Sequence, residues 1–408
     1  MKKLKNILYA GFLTLSSCTA SVYTVSLPLG YYLPYVNKNA QKEVVAASNN
    51  FNFTLARELA NELGKGDNFV FSAFSAWLPL VSLSYIANDE DLNNLLEALY
   101  LNDIYLEDIN YSVLNILYKL YNTNVVNIAN KILVDDKVTI NNDFANLFER
   151  YFIGEISNTD LQNEQIVEII NDFIYKQTDG VIENFVTEPF GEGDIVVLLN
   201  TVYFMDEWLN TYFVREKGNF YSPSGIREIY FIRNNLNMEN HAFFENEYLS
   251  AIRLPYESNS NMYIILPSEG DVIDFFTNMD LLKFSYIQNN MEYSDGFFKM
   301  PRFTIESEID NLREVLETLG LPFLDCRLGG LENIIYEESN LPIYISGARQ
   351  KAVIEVDEYG TTAAAVTMNV ATFTSLPMNF FEMIVDRPFM FILESEGVIL
   401  FSGFVNEP

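Results

Sequence analysis

In 408 residues the chain has a single histidine, His241, and two cysteines, Cys18 and Cys326. That scarcity excludes the usual nitrogen–sulfur zinc sets. A Ser/His/Asp or Cys/His triad would have to be built on His241, in Asn237-Met-Glu-Asn-His241, and no nucleophile-elbow motif occurs anywhere. Cations are scarce too. Lys and Arg number 25 against 56 Asp and Glu, a formal net charge of −31. The clustered positive charge that nucleic-acid binding needs is therefore lacking. Among so many carboxylates, nothing marks out two as a general acid and base. These residues call for no metal and no cofactor, a paired-carboxylate hydrolase stays open on counts alone, and the excess acid bears on solubility and association rather than on fold.

Long apolar runs are also missing. The run Ile7–Leu15 is nine residues, well short of the about 20 that span a bilayer. It follows Lys2, Lys3 and Lys5 and ends in Leu15-Ser16-Ser17-Cys18. This resembles the bacterial lipobox, in which the cysteine is lipidated and becomes the new N-terminus. The expectation is a signal peptide over 1–17 and a lipid anchor at Cys18 that holds the protein on the outside of a bacterial membrane. Residues 18–47, with Pro28, Gly30 and Pro34, read as a tether. Cys326 is then left alone, so no disulfide forms within the chain.

What is present is core. Apolar residues make up 49% of the chain and aromatic ones 14%, which excludes global disorder. Helical spacing places Phe51, Leu55, Leu59 and Leu63 on one face of 50–63, with Gly64 as a stop. Residues 72–86 are apolar nearly all round, the mark of a buried helix. Further helices are predicted over 92–99, 111–120, 143–151, 165–176 and 313–319. Strand-like stretches rich in β-branched and aromatic residues run over 125–134, 195–204, 297–305, 343–356, 389–393 and 399–405. Of these, 195–204 is apolar on both faces, as a covered central strand should be. Helices crowd the first half and strands the second, an order that suits an α+β protein. No repeat or linker divides 48–408, which reads as one domain.

Two stretches carry a specific resemblance. One is Lys351-Ala-Val-Ile-Glu-Val-Asp-Glu-Tyr-Gly-Thr-Thr-Ala-Ala-Ala-Val366. The other is Arg387-Pro-Phe-Met-Phe-Ile-Leu-Glu394 with Phe401-Ser-Gly-Phe-Val-Asn406. Together they look like the C-terminus of a serpin: a long strand, an Ala-rich hinge, an exposed reactive loop at about 360–379, and two closing strands. Four further segments fit in order. Asn68–Ser75 resembles the start of the family's second helix, and Ile170–Ile174 with Thr178-Asp-Gly180 its sixth. Leu199–Trp208 resembles the third strand of the main sheet, and Lys299–Phe303 the sixth. The resemblance implies a large central mixed sheet, further sheets, about eight or nine helices and a monomer. It also implies a mechanism. A target protease attacks the loop and forms an acyl-enzyme, and the cut loop inserts into the sheet as a new strand, trapping the protease covalently.

The chemistry of such a loop can be checked residue by residue. A segment that becomes a central strand cannot contain Pro, and its buried positions cannot carry charge. Residues 361–374 contain no Pro, Gly or charged residue. Thr361, Ala363, Ala365, Thr367 and Asn369 would share one face, and Thr362, Ala364, Val366, Met368 and Val370 the other. Gly360 gives the pivot its backbone freedom, and Glu358 opens the hinge. In the family's spacing the cleaved bond joins Thr374 and Ser375, with Phe373, Leu376 and Met378 as alternatives. No Lys or Arg lies between Gly360 and Arg387, which disfavours a trypsin-like target and favours proteases with a small or apolar pocket.

The resemblance also implies a polar cluster beneath the point where the sheet opens, at Ser72, Ser75, Asn200 and Gln350, and a Trp208 where the loop first enters. Departures are visible. Gln350 stands where the family usually has His, Ala73 where Pro is common, Met205-Asp206 where Lys-Gly is usual, and Thr362 where Glu is usual. A serpin-fold lipoprotein that binds a ligand or host protein without inhibiting anything is the alternative reading.

Overall fold

Val196–Phe204 is buried at every position, and the rest of the fold is arranged to cover it. The computed structural model describes residues 36–61, 63–64, 66–209, 214–234, 239–321, 323–324, 331–335, 343–361 and 380–408. In chain order these form helix α1 (Lys38–Ala60), strand β1 (Phe69–Phe71), helices α2 (Ala73–Ser82), α3 (Asp89–Ala98) and α4 (Leu106–Asn122), and strand β2 (Val126–Asp135). Then come α5 (Asn142–Phe152), β3 (Glu155–Thr159), α6 (Gln165–Gln177), β4 (Val196–Phe204) and β5 (Asp206–Glu207). Two long hairpins and a connection follow as β6 (Val214–Ser222), β7 (Gly225–Arg233), β8 (Glu239–Glu245), β9 (Leu249–Pro255) and β10 (Asn261–Pro267). The chain continues through α7 (Val272–Thr277), α8 (Leu281–Asn289), β11 (Glu292–Pro301), β12 (Phe303–Ile309), α9 (Leu312–Thr318), β13 (Ile345–Val356), β14 (Gly360–Thr361), β15 (Phe380–Ile384), β16 (Phe389–Ser395) and β17 (Val398–Val405). The described residues thus hold nine α-helices.

Two sheets result. The main sheet runs β3-β2-β4-β13-β12, with β14 and β5 at one end; β2/β3 and β4/β13 are parallel and the other pairs antiparallel. It is the mixed central sheet expected. The second sheet runs β1-β17-β16-β10-β9-β8-β11-β7-β6, with β15 parallel to β11. Between them lies one large core. Period-two alternation divides β4 cleanly: Val196, Leu198, Val202 and Phe204 face this core, while Val197 and Leu199 face a separate small cluster under α6.

The buried helix predicted from residue 72 is α2, all ten residues of which are buried. Ser72 caps it, its hydroxyl oxygen accepting from Ser75 N at 3.3 Å. Pro79 lies within it, and the helix gives way to a 3-10 turn at Leu83–Tyr85.

Two boundaries differ from expectation. α1 begins at Lys38, capped by the Asn37 side chain, and buries Val44 and Ala47 with Phe51, Leu55 and Leu59. Residues 38–47, assigned above to a tether, are therefore helix. Their polar content hid two apolar positions at helical spacing. The second correction concerns Lys299-Met-Pro-Arg-Phe303 and the single strand expected over 297–305. Lys299, Met300 and Pro301 pair with β7 in the second sheet, and only from Phe303 does the chain pair with β13 in the main one. Pro301 has no N–H to extend a ladder, and Arg302 N turns to donate to Tyr230 O at 3.0 Å.

α6 is attached to the sheet chiefly by Ile166, Ile170 and Ile174. Ile170→Ala should cost about 2–4 kcal/mol. It should show as a lower melting temperature and as hydrogen exchange that quickens in α6 before the large core responds.

Candidate loop-insertion site

The site begins where β13 ends. Asp357 closes a tight turn: its carboxylate accepts from Tyr359 N at 2.8 Å and Gly360 N at 3.3 Å, and its N–H donates to Gly360 O at 3.0 Å. The turn sends Gly360 and Thr361 back as β14, which lies between two neighbours. Thr361 pairs antiparallel with Val356 on one side and Asp206 on the other, and Gly360 pairs with Glu207. Gly360 is needed for close approach as well as for its φ of +157: a Cβ there would overlap the Asp206 carbonyl oxygen.

Trp208 anchors this end. Its N–H donates to Tyr359 O and its indole Nε1–H to Asp357 O, both at 2.9 Å. The ring stacks on Tyr256 at 4.3 Å, and the Tyr256 hydroxyl lies 2.6 Å from Thr361 Oγ1. Tyr256 is fully buried, and burial pushes its phenol well above the ordinary range. It is thus a neutral hydroxyl that holds the Thr361 side chain toward the core. Arg302, at the crossover between the sheets, forms ion pairs with Glu358 at 3.2 Å and Asp357 at 3.6 Å. Tyr256 and Arg302 were not foreseen. Tyr256 sits in no local pattern that marks it, Arg302 lies within Lys299–Phe303 but nothing in that segment assigns it to this site, and both arrive from segments distant in sequence.

Below this point the described strands β4 and β13 pair only in part. β4 and β13 pair only where Val196–Leu199 meets Ile345–Arg349. Above those pairs, β4 from Asn200 to Phe204 is bonded to β2, and β13 from Gln350 to Val353 and onward is bonded to β12. Between them the described residues place no partner until Thr361.

The expected polar cluster lies beneath the point where the pairing stops, and three of its four members are joined. Gln350 Oε1 accepts from Ser72 N at 2.9 Å, and its Nε2 donates to Ser72 O at 2.7 Å and Ser75 Oγ at 3.2 Å. A single glutamine thus uses both ends of its amide to tie β13 to the cap of α2. Asn200 goes elsewhere. It donates to Asn130 Oδ1 on β2, and Asn130 in turn donates to Phe152 O at 3.1 Å. Asn200 Oδ1 is buried and has no partner among the described residues. Asn200, Ser75 and Gln350 line a cavity of about 20 Å3, room for about one water. Of the hinge residues named above, Glu358, Gly360 and Thr361 are described. Thr362, Ala363, Ala364, Ala365, the bait candidates Phe373, Thr374, Ser375, Leu376 and Met378, and Cys18 lie outside the described residues.

Residues 46–408 match the family model described as Serpin (serine protease inhibitor). The chain is a serpin. Alaserpin of Manduca sexta is 30% identical over 84% of this chain and 88% of its own length. Serpin B7 of Homo sapiens is 26% identical over 90% of this chain and 99% of its own. An uncharacterized serpin-like protein of Thermococcus kodakarensis is 27% identical over 91% and 88%. The crystal structure of tengpin, a thermophilic serpin in the native state, superposes with a TM-score of 0.79 at 25% identity, covering 90% of this chain and 94% of that one. Serpin48 of Tenebrio molitor gives 0.78 at 24%, covering 90% and 98%. The α+β serpin fold, with its two sheets and nine described helices, is the one that the resemblance implied. Members of this family generally act as inhibitors rather than as enzymes.

Asp206 gives the site a pH dependence. Burial pushes its carboxyl above the ordinary range, partly offset by hydrogen bonds from Ser258 N at 3.2 Å and Glu207 N at 2.9 Å. A carboxyl whose pKa is raised on folding destabilises the native state where it is ionised, and that penalty fades as pH falls toward its pKa. Asp206→Asn should therefore raise the melting temperature at pH 7 by about 1–3 °C. The difference from the parent should shrink as pH falls toward 4, which melting curves recorded between pH 4 and 8 would reveal.

Proposed function

We propose that this serpin is an inhibitor that traps a protease by inserting its cleaved loop between β4 and β13. The observation that carries this reading is the placement of Thr361. It is already bonded antiparallel to the strands on both sides of the seam, which is the pairing that a full insertion would extend. Carried down the gap residue by residue, the two registers agree with the β4/β13 register. They bring Ala363 between Phe204 and Ile354, Ala365 between Val202 and Ala352, and Thr367 between Asn200 and Gln350. Since Thr361 faces the core, Ala363, Ala365, Thr367 and Asn369 would follow it inward. All are small or neutral. Thr367 would arrive beside the unpartnered Asn200 Oδ1, to which its hydroxyl can donate. The outward set, including Val366 and Val370, would pass beneath the apolar underside of α6.

The chemistry asks nothing catalytic of this chain. The nucleophile of the protease attacks the Thr374 carbonyl, the bond to Ser375 breaks with the new amine leaving, and Thr374 remains as an acyl ester or thioester. Insertion of about 14 paired residues at about 0.5–1.5 kcal/mol each supplies on the order of 10 kcal/mol before ordering entropy. The active form is therefore held kinetically. With no basic residue in the loop, the favoured targets are elastase-, subtilisin- or chymotrypsin-like. The lipobox supports a cell-surface location through lipidated Cys18.

The protein without residues 1–18, incubated with pancreatic elastase, subtilisin, chymotrypsin, trypsin and papain, should give an SDS-stable complex with at least one apolar-pocket enzyme and release a C-terminal fragment beginning at Ser375. Ala363→Arg, which would bury a charge in the seam, should convert inhibition into simple cleavage. Cleavage of the parent without a complex from any of the five sinks the inhibitory reading. In bacteria, Cys18→Ser should abolish labelling by radioactive palmitate and release the protein from the membrane fraction. Unchanged labelling removes the anchor.

A further inference from the structure

Helices α7 and α8 and the turn between β8 and β9 enclose a cavity of about 500 Å3, within the size range of small-molecule sites. Its floor is core, with Phe244 and Ile287 buried. Its mouth is apolar as well. Tyr248, Leu282 and Tyr286 are 68%, 83% and 59% exposed, and apolar surface gathered at the rim of a cleft marks a place that something covers. The walls are set in advance. The Asn246 side-chain oxygen accepts from Tyr248 N at 2.9 Å and Leu249 N at 3.0 Å, and Tyr248 O accepts from Ser268 N at 2.8 Å. The Tyr286 ring stands edge-on to Phe244 at 5.8 Å.

The charges around the cavity select the ligand. The polar groups of the lining are already engaged. Asn278 Nδ2 donates to Asp274 O at 2.7 Å. Lys283, the one cation of the lining, donates to Asn278 O and pairs with Asp280 at 3.1 Å. Its charge is thus met within the chain, which disfavours an anionic ligand. The segments that wall the cavity, 244–249 and 274–287, carry Glu245, Glu247, Asp274 and Asp280 against Lys283 alone. Glu245, Glu247 and Asp274 are exposed, each next in sequence to a lining residue. The rings act in the same direction, because a cation is drawn to the face of Tyr or Phe. So does the long-range field of a chain with a net charge of −31.

We propose that this cavity is a binding site for a lipophilic cation, an ammonium carried on an alkyl or aryl body. The body fills the apolar floor, and the ammonium rests at the mouth among the tyrosine rings and the carboxylates. The site shares no residue with the loop-insertion site and does not depend on inhibition.

The test uses the protein without residues 1–18 and probes that share a decyl chain, each below its micelle concentration: decyltrimethylammonium, decanol and decanoate. Equilibrium dialysis reads affinity and stoichiometry. Expected is one site per chain, with the ammonium bound about tenfold or more tightly than decanoate. Tyr248→Ala with Tyr286→Ala should weaken the ammonium about tenfold and leave the melting temperature unchanged, since both side chains are mostly exposed. Glu247→Lys with Asp274→Lys should remove or reverse the preference for the cation while decanol binding holds. Equal affinity of the parent for all the probes overturns the cation assignment. Ammonium bound at several sites per chain and unchanged in both variants overturns the site, leaving only counterions on an acidic surface. So does a concentration-dependent dimer in sedimentation that the tyrosine variant abolishes, with no probe bound, since the mouth would then cover a second copy of this chain.

Discussion

The site depends on a seam in the main sheet along which the described strands are paired only in part. Four residues of β4, Val196–Leu199, bond to β13, and above them, among the described residues, each strand keeps a neighbour on its far side. Both ends of this seam are fastened. At the lower end Gln350 ties β13 to the Ser72 cap of α2. At the upper end Trp208, Tyr256 and Arg302 fix the turn that carries Thr361.

The two fastenings differ in character. The lower is a neutral amide network, and with Gln350 in place of the family's usual His it carries no titrating group. The upper is aromatic and acidic: Asp206, Asp357 and Glu358 surround Gly360 and Thr361, with Arg302 as the cation that meets two of them. Of the two fastenings, the upper one is therefore the one that adjoins a carboxyl raised by burial, Asp206. The Met205-Asp206 departure, which as sequence only looked like a weakening of the family pattern, places a buried carboxyl on the strand that pairs with Thr361.

Much of the architecture was legible because it is written in local pattern. Residues 195–204 and 343–356 are apolar or alternating over strand lengths, and α2 is apolar all round. The hinge was legible for what it omits. The hairpin β6–β7 was not, because β6 alternates half-buried and exposed positions but puts Glu216 and Gly218 among the half-buried ones, and β7 is exposed over Gly225–Glu228, so neither shows the hydrophobic alternation that reveals a half-buried strand. The start of α1 was lost among Lys, Gln and Glu. Within the site, Ser72, Ser75, Gln350 and Trp208 followed from the order and spacing of the family-like segments, whereas the roles of Asn130, Tyr256 and Arg302 did not. Each reaches the site through strand pairing or packing with segments distant in sequence, which no window of sequence displays.

The seam has a consequence beyond the single molecule. Two parallel strands whose facing edges have no partner among the described residues make a slot that discriminates by polarity and by side-chain size but not by covalent connection. If the proposed insertion operates, any extended segment with small residues on alternate positions and the right direction satisfies that slot, including one supplied by a neighbour. Crowding, slow folding or a loosened Trp208–Tyr256 stack would then link copies of the chain to one another.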